Sequence, residues 1–473
     1  MSIRVGICFL LVLALCIGAW RNWFPSLCGA IVLMAVLEHP DMPKNIGGIQ
    51  GLNFWNILMA NVLLAWYAQG AHHRLAQELP RGVIIRLSLY VLVIVTAWVR
   101  MMISPAGIQD FTIASAVSEQ LINCIKWMLP GLLLFDGCRT RSRVLWALGC
   151  VLTLYFLLAV QIVRWVPLSL AVASGADLAR NANKMCLNEI GYHRVNLSMM
   201  MSGASWAMVA ALVVVKRPWS RLIVALAGLI VILGQSLTGG RAGYVAWGVV
   251  GLILSLVRWR RLLPLLPPFV LGIGVLLPGV RQRFLQGFGA VQGNVVVRRD
   301  AYEMTAGRTL IWPYVIEKIG EAPVFGYGRE AMQRTGLSTY LWQELGEGFG
   351  HPHNAYFELL LDNGVVGTVL VLPFYLLVLT RAFSLFRDRE DDLCSAVGGV
   401  VCALVLALLA AALGSQTFYP REGAIGMWAA MGIMLRVYED RERARAQSRE
   451  TLDQVSRAAD GAPAEETAAP VPV

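Results

Sequence analysis

Charge is what this chain has least of. Of its 473 residues, 15% are Asp, Glu, Lys or Arg, against 57% hydrophobic, and the mean hydropathy is +0.60. A soluble globular domain is about a quarter charged, so most of this chain expects lipid around it. The nine cysteines are scattered, mostly within apolar runs, with no CxxC pair and no metal-ligand spacing, which argues against a disulfide scaffold or a Cys-based zinc site. Neither a Gly-rich nucleotide loop nor an internal repeat is present. No small-x-small cleavage pattern follows the first apolar run, Ile3–Trp20, and Leu15 before Cys16 argues against lipoprotein processing. That run is therefore read as a retained membrane segment. Histidine is scarce, with six in the whole chain.

What the chain has in quantity is apolar runs, and runs of about 18 residues can span a bilayer. Candidate spans lie at residues 51–68, 83–99, 121–135, 144–163, 197–215, 222–237, 242–257, 262–277, 364–379, 396–413 and 423–437. Ile3–Trp20 and Trp23–Leu37 precede them as a hairpin or as one span with an interfacial piece. The expectation is an all-α polytopic membrane protein with about 12 spans. Arginine and lysine recur in alternate short loops, at Arg74–Arg86, Arg139–Arg143, Lys216–Arg221, Arg258–Arg261, Arg381–Arg389 and after Val437. Loops of that kind stay on the cytoplasmic side, so the formal charge of +10 is a topological bias and calls for no nucleic-acid partner. Residues 1–280 then form helices with short loops and one smaller external loop at 164–194. Residues 281–353 form a large external loop, 354–437 the last spans, and 438–473 a cytoplasmic tail. The tail's Ala-, Pro- and Glu-rich end, Ala458–Val473, has the composition of a disordered segment. Cys186 is the one cysteine clearly in an external loop, so no external disulfide is expected.

Chemistry is expected on the external side. The stretch from Arg281 to His353 runs to roughly seventy residues, too long for a plain connector, and Leu310, Ile311, Tyr314, Val315 and Ile319 recur at helical spacing within it. That pattern predicts an amphipathic helix near the membrane surface, ended by Gly320 and Pro323. Upstream, "SLTGGRAGYVAW" (Ser236–Trp247) places Arg241 at the first turn of a helix after a Gly-Gly turn. A helix N-terminus offers free N–H groups and a positive dipole end, and a guanidinium matches phosphate oxygens. The competing reading is an arginine that snorkels to anchor the helix end. Arg308, at the start of the amphipathic helix, invites the same two readings. His351 and His353 stand immediately before a membrane helix, and imidazole is the side chain best able to take a proton near neutral pH. A metal site is the weaker alternative, because HxH supplies two ligands and no carboxylate or cysteine cluster joins them. Lys126, with Glu119 two turns earlier, is the clearest charge inside a span. The two could pair within the bundle or belong to a transporter of a lipid-linked anion, which would bury such groups at mid-bilayer.

"HNAYFELLLDNGVVG" reads His353, Asn354, nine residues, Gly364, two residues, Gly367. That spacing resembles the signature of the O-antigen ligase and O-antigen polymerase superfamily, and "GGRAG" around Arg241 and "GRTLIW…PVFGYG" containing Arg308 resemble its other landmarks. The resemblance implies metal- and cofactor-independent, inverting glycosyl transfer at the periplasmic face of a Gram-negative inner membrane. The donor would be undecaprenyl-pyrophosphate-linked O-antigen, and a ligase would pass it to a sugar hydroxyl of lipid A-core, completing lipopolysaccharide. A polymerase or a protein O-oligosaccharyltransferase shares the donor. On this resemblance His353 is the general base and Arg241 and Arg308 bind the pyrophosphate. Arg194, Arg281 and Arg283 are further phosphate candidates, each also readable as a surface or anchoring residue. His351 orients its neighbour or contacts sugar, and Asn354 caps the following helix. Gly364 and Gly367 permit close packing or a bend.

Overall fold

A computed structural model describes residues 3–49, 51–286, 291–292, 295–296, 307–346, 348–414 and 417–460. Arg298, Arg299 and residues 461–473, which include most of the expected disordered end, lie outside the described residues.

The protein is an all-α membrane bundle. In chain order it runs α1 (Ile3–Ala19), α2 (Trp23–Leu37), α3 (Phe54–Ala68), α4 (Ala71–Glu78) and α5 (Arg81–Ile103). An interrupted stretch follows: α6 (Ile113–Val117), a π-turn at Ser118–Ile122, α7 (Asn123–Lys126) and α8 (Leu129–Gly137). Next come α9 (Arg141–Trp165), α10 (Leu168–Ala173), α11 (Gly175–Glu189), α12 (Arg194–Ala211), α13 (Pro218–Leu237), α14 (Arg241–Val257), α15 (Leu266–Leu276) and α16 (Pro278–Leu285). A two-residue antiparallel pairing, Val291–Gln292 with Val295–Val296, separates these from α17 (Arg308–Glu321), α18 (Ala331–Arg334) and α19 (Leu337–Leu345). The chain closes with α20 (Ala355–Phe386), α21 (Asp392–Ala411) and α22 (Ile425–Asp460).

Among the described residues, α5, α9, α13, α20 and α21 are long and apolar enough to cross a membrane unaided. Helices α1, α2, α3 and α14 are apolar but shorter, at 10–17 residues. The span expected at 262–277 ends in a 110° bend, where α15 meets α16. Around the span expected at 121–135 the helix is interrupted between α6 and α8, by the π-turn and again at Trp127–Met128. The expected amphipathic helix is α17, Arg308–Glu321.

The core centres on α12 against α21. Helix α12 carries Ser198, Ser202 and Ser205, yet all three are buried. Its neighbours are protein rather than lipid, so polar side chains that bond their own helix are tolerated. A side chain on Gly203 would stand 3.1 Å from the Leu404 Cα and 3.2 Å from the Ala403 carbonyl. Small residues at that crossing let the two backbones approach closely.

At one end of the bundle the basic loops meet carboxylates. Arg139 pairs with Glu78 at 2.9 Å and with Asp136 at 2.6 Å, and Arg436 also reaches Glu78. Arg141 pairs with Asp391, Lys216 with Asp392, Arg381 with Glu439 and Arg441 with Asp388. The arginine- and lysine-rich loops therefore lie on one face, as their alternation along the sequence requires. Lys126 donates to Asn56 Oδ1 at 3.0 Å and lies 4.4 Å from the Trp127 ring centroid. Among the described residues Glu119 is not its ion-pair partner, so in place of a pair within the bundle Lys126 meets an amide and an aromatic face.

At the other end α20 is bent. Gly364 has φ +62° and breaks the helix after its first turns. The segment 323–328 lies alongside the break and takes up its backbone groups. Val365 N–H donates to Pro323 O at 2.8 Å and Val366 N–H to Val324 O at 3.1 Å, while Tyr327 N–H donates to Leu361 O at 2.8 Å. Any side chain at Gly364 would strike the Val324 carbonyl. The segment 323–328 is thus stitched into a membrane helix through main-chain bonds, with the freed groups of the break satisfied.

Candidate active site

The turn before α20 is built from its own sequence. Asn354 is buried and caps α20, its Oδ1 accepting from Tyr356 N–H at 3.0 Å and Phe357 N–H at 3.3 Å. Ala355 N–H is held by Ala412 O at 2.8 Å, at the end of α21. His353 sits in the left-handed region with φ +53°, a conformation that histidine tolerates better than most residues. Its backbone N–H donates to His351 Nδ1 at 3.2 Å, and the two rings lie 4.1 Å apart. Pro352 O accepts from Trp312 Nε1–H at 3.1 Å, so α17 grips the same turn. Phe349 meets the His353 ring edge-on at 6.0 Å.

Burial, His351, Arg308 and His193 push the His353 pKa down from 6.5 to about 3. His351 is lowered too, by partial burial with Arg421 and Arg329 adding repulsion, against the pull of Glu358 and Glu330. Burial also lowers Arg308. Each histidine is therefore neutral at physiological pH, with cations gathered around it.

Of the expected arginines, Arg308 acts on His353 directly, while Arg194 and Arg283 meet at the Gly-Gly turn ahead of Arg241. Arg308 reaches the end of α21, where an added Cβ at Gly414 would lie 3.9 Å from its guanidinium and 2.7 Å from Ala242 Cβ at the start of α14. Arg241, beside that alanine, donates to Gln286 O at 3.1 Å. The Gly-Gly turn ahead of it is held by Ser198 Oγ–H, which donates to Gly240 O at 3.0 Å, and Arg194 donates to Gly239 O at 2.8 Å. Arg283 Nε–H donates to the same Gly239 carbonyl at 3.2 Å, and its guanidinium also reaches the Gln286 side chain.

Arg194 and Arg283 then face a shared cavity of about 390 Å³ lined by Ala176, Ala179, Arg180, Asn183, His193 and Gln286 as well. Among the described residues the lining contains no carboxylate. Arg281 is elsewhere. It stands at the mouth of an apolar groove of about 450 Å³, whose walls include Tyr244, Val249, Leu252, Val270 and Phe284. Among the described residues no three His, Cys, Asp or Glu side chains cluster as metal ligands.

Three site features escaped the reading of the sequence. His193 and Arg180 line the arginine cavity; the signal available for His193 was the rarity of histidine, with six in the whole chain. Arg329, the third, is buried. Its guanidinium donates to Gln120 at 2.9 Å, Glu358 at 3.0 Å and Asp362 at 3.3 Å and stacks 3.7 Å from the Tyr419 ring centroid. A buried arginine with two carboxylates is a structural clamp, and it holds the first half of α20 against the external segment.

Residues 226–372, which carry Arg241, Arg308, His353 and Gly364, match the family model described as O-Antigen ligase. That region is similar to the O-antigen ligase family. The family landmarks are thus the residues that converge in space, while Arg194 and His193 lie before the matched region. An uncharacterized protein of Haemophilus influenzae is 22% identical over 221 residues, which are 44% of this chain and 55% of that protein. The exopolysaccharide production protein ExoQ of Rhizobium meliloti is 31% identical over 104 residues, 20% of this chain and 24% of ExoQ. The matches thus span about half the length of one relative and a quarter of the other.

Proposed function

We propose that the protein is an O-antigen ligase. It transfers a polysaccharide from undecaprenyl pyrophosphate to a sugar hydroxyl of lipid A-core, at the periplasmic face of the inner membrane. One observation carries this reading: Arg180, Arg194 and Arg283 line one cavity with His193, beside the neutral His351–His353 pair and within the reach of Arg308. Arginines there suit a diphosphate, and an adjacent neutral imidazole suits removal of a proton from a hydroxyl.

The reaction runs as a direct displacement. The acceptor oxygen forms a bond to the anomeric carbon while its proton passes to the His353 ring. The anomeric carbon–oxygen bond to phosphate breaks on the opposite face, its electron pair leaving with the diphosphate, so the configuration inverts. Arg194, Arg283, Arg241 and Arg308 stabilise the charge that grows on the leaving oxygen. The donor brings its own leaving group, so no nucleotide is required. The free site resists an imidazolium, because cations surround His353. A bound diphosphate offsets those cations and raises the imidazole's affinity for the proton it must take. The apolar groove behind Arg281 offers room for the lipid part of the donor.

ExoQ, named for exopolysaccharide production, favours a second reading in which the acceptor is another lipid-linked repeat unit and the protein is a polymerase. Incubating purified protein with the lipid-linked donor and lipid A-core separates the two. Ligation yields glycan on lipid A-core. Longer glycan still on undecaprenyl pyrophosphate, with lipid A-core untouched, would replace the ligase reading with the polymerase. No transfer to either acceptor would remove both.

A further inference from the structure

His193 is the residue before α12, and its side chain has two jobs to divide between two nitrogens. Nδ1 accepts the backbone N–H of Val195 at 3.3 Å, capping the helix. A neutral imidazole whose Nδ1 accepts must carry its proton on Nε2. The ring is exposed and lines the cavity that Arg194, Arg283 and Arg180 share. It is also close enough to the other two imidazoles to be felt by both, since His351 lowers its pKa and it lowers that of His353. His193 therefore stands between the arginine cavity and the histidine turn, and it presents a fixed N–H donor there.

Resting on the glycosyl-transfer reading above, we propose that His193 is a further catalytic residue, donating a hydrogen bond from Nε2 to a diphosphate oxygen of the leaving group. The cavity supplies the reason. Its arginines reach Gly239 O and Gln286 with some of their donors, and their charge is diffuse. A neutral N–H beside them adds a directed donor without adding to the cationic repulsion that already depresses His353. The ring stays neutral and gives up no proton, so the reaction's proton goes to His353 alone. The cap is what keeps this donor aimed: without the bond to Val195 the ring could turn and the neutral tautomer could switch.

The two roles can be taken apart. Asparagine is among the best helix-capping residues but is too short to place a donor where the imidazole Nε2 lies, so His193→Asn keeps the cap and loses the donor. His193→Ala loses both. Transfer would be followed with the lipid-linked donor, together with inhibition by inorganic pyrophosphate and the thermal midpoint. The expected result is a fall in turnover of about 10- to 100-fold in both variants, the loss typical of a hydrogen bond to a charged oxygen. Pyrophosphate inhibition should weaken by a similar factor, the KM for the acceptor should hold, and only His193→Ala should melt earlier. Wild-type turnover and pyrophosphate inhibition in His193→Asn would overturn the proposal and leave His193 a cap. Failure of the wild-type protein to transfer glycan from a diphosphate donor would instead overturn the reading beneath it.

Discussion

Two polar cavities lie at opposite ends of this bundle, and they handle charge in opposite ways. The one at the basic-loop end, about 650 Å³, is lined by Arg139, Arg141, Arg441, Arg445 and Arg449 but also by Asp388, Glu390, Asp391 and Asp440. Its cations are answered from within the chain. The one at the histidine end, about 390 Å³, gathers Arg180, Arg194, Arg283 and His193, and among the described residues no carboxylate lines it. Like charges drawn together disfavour one another, and Arg283 adds to burial in lowering Arg194. On the proposed reading an anionic ligand answers the cations of the second cavity, whereas the first is answered by its own carboxylates. Net charge alone could not distinguish them, because both ends are rich in arginine.

The sharpest way to break the comparison is at the histidine turn. His353→Ala should lower transfer by about 100- to 10,000-fold, the range for loss of a general base, while the protein stays folded, as followed by its thermal midpoint. Full transfer by a folded variant would remove His353 as the base. Next in size, Arg283→Ala should cost about 10- to 1,000-fold in turnover, as removal of one charge-stabilising donor does, whereas Arg445→Ala in the opposite cavity should leave turnover within about twofold. Equal losses would mean that the two ends do not differ in function.

A structural prediction comes between these and the smallest effects. Gly364→Ala must place a Cβ against the Val324 carbonyl at φ +62°, so it should lower stability by about 2–4 kcal/mol and loosen the external segment, visible as faster proteolysis after residue 323.

The pH dependence follows from His353. With a folded pKa of about 3 against 6.5, the unfolded chain binds the extra proton between those values. The group therefore favours unfolding increasingly as the pH falls from 6.5 towards 3, and its effect is absent above 6.5. In the donor complex the diphosphate raises that pKa, so the acidic limb of kcat should lie at higher pH than the acidic limb of kcat/KM for the donor. Coincident limbs would mean that the donor's charge does not reach His353. Smallest of all, Arg141→Ala breaks an exposed pair with Asp391 and should change stability by no more than about 1 kcal/mol.

Much of this was legible in the sequence, and the reasons differ from element to element. Helix α17 was legible because its apolar positions keep helical spacing, and Asn354 because capping is a local rule. The basic loops could be assigned to one face because topology leaves a charge record. The break between α6 and α8 was not legible, since hydropathy reports composition and not direction. Arg329 was missed because its partners, Gln120, Glu358 and Asp362, come from distant parts of the chain. Arg194 and Arg283 were candidates only by residue type. What sets them apart from Arg281 is the fold, which turns the first two into one cavity and leaves the third at the mouth of an apolar groove.

The central claim is that the cavity shared by Arg194 and Arg283 binds the diphosphate, and calorimetric titration of the purified protein with inorganic pyrophosphate tests it most directly. The account predicts one site, weakened at least tenfold by Arg194→Ala or Arg283→Ala, as loss of a charge-assisted contact requires, and unchanged by Arg445→Ala. Binding that survives both cavity substitutions, or that depends on Arg445, would contradict it.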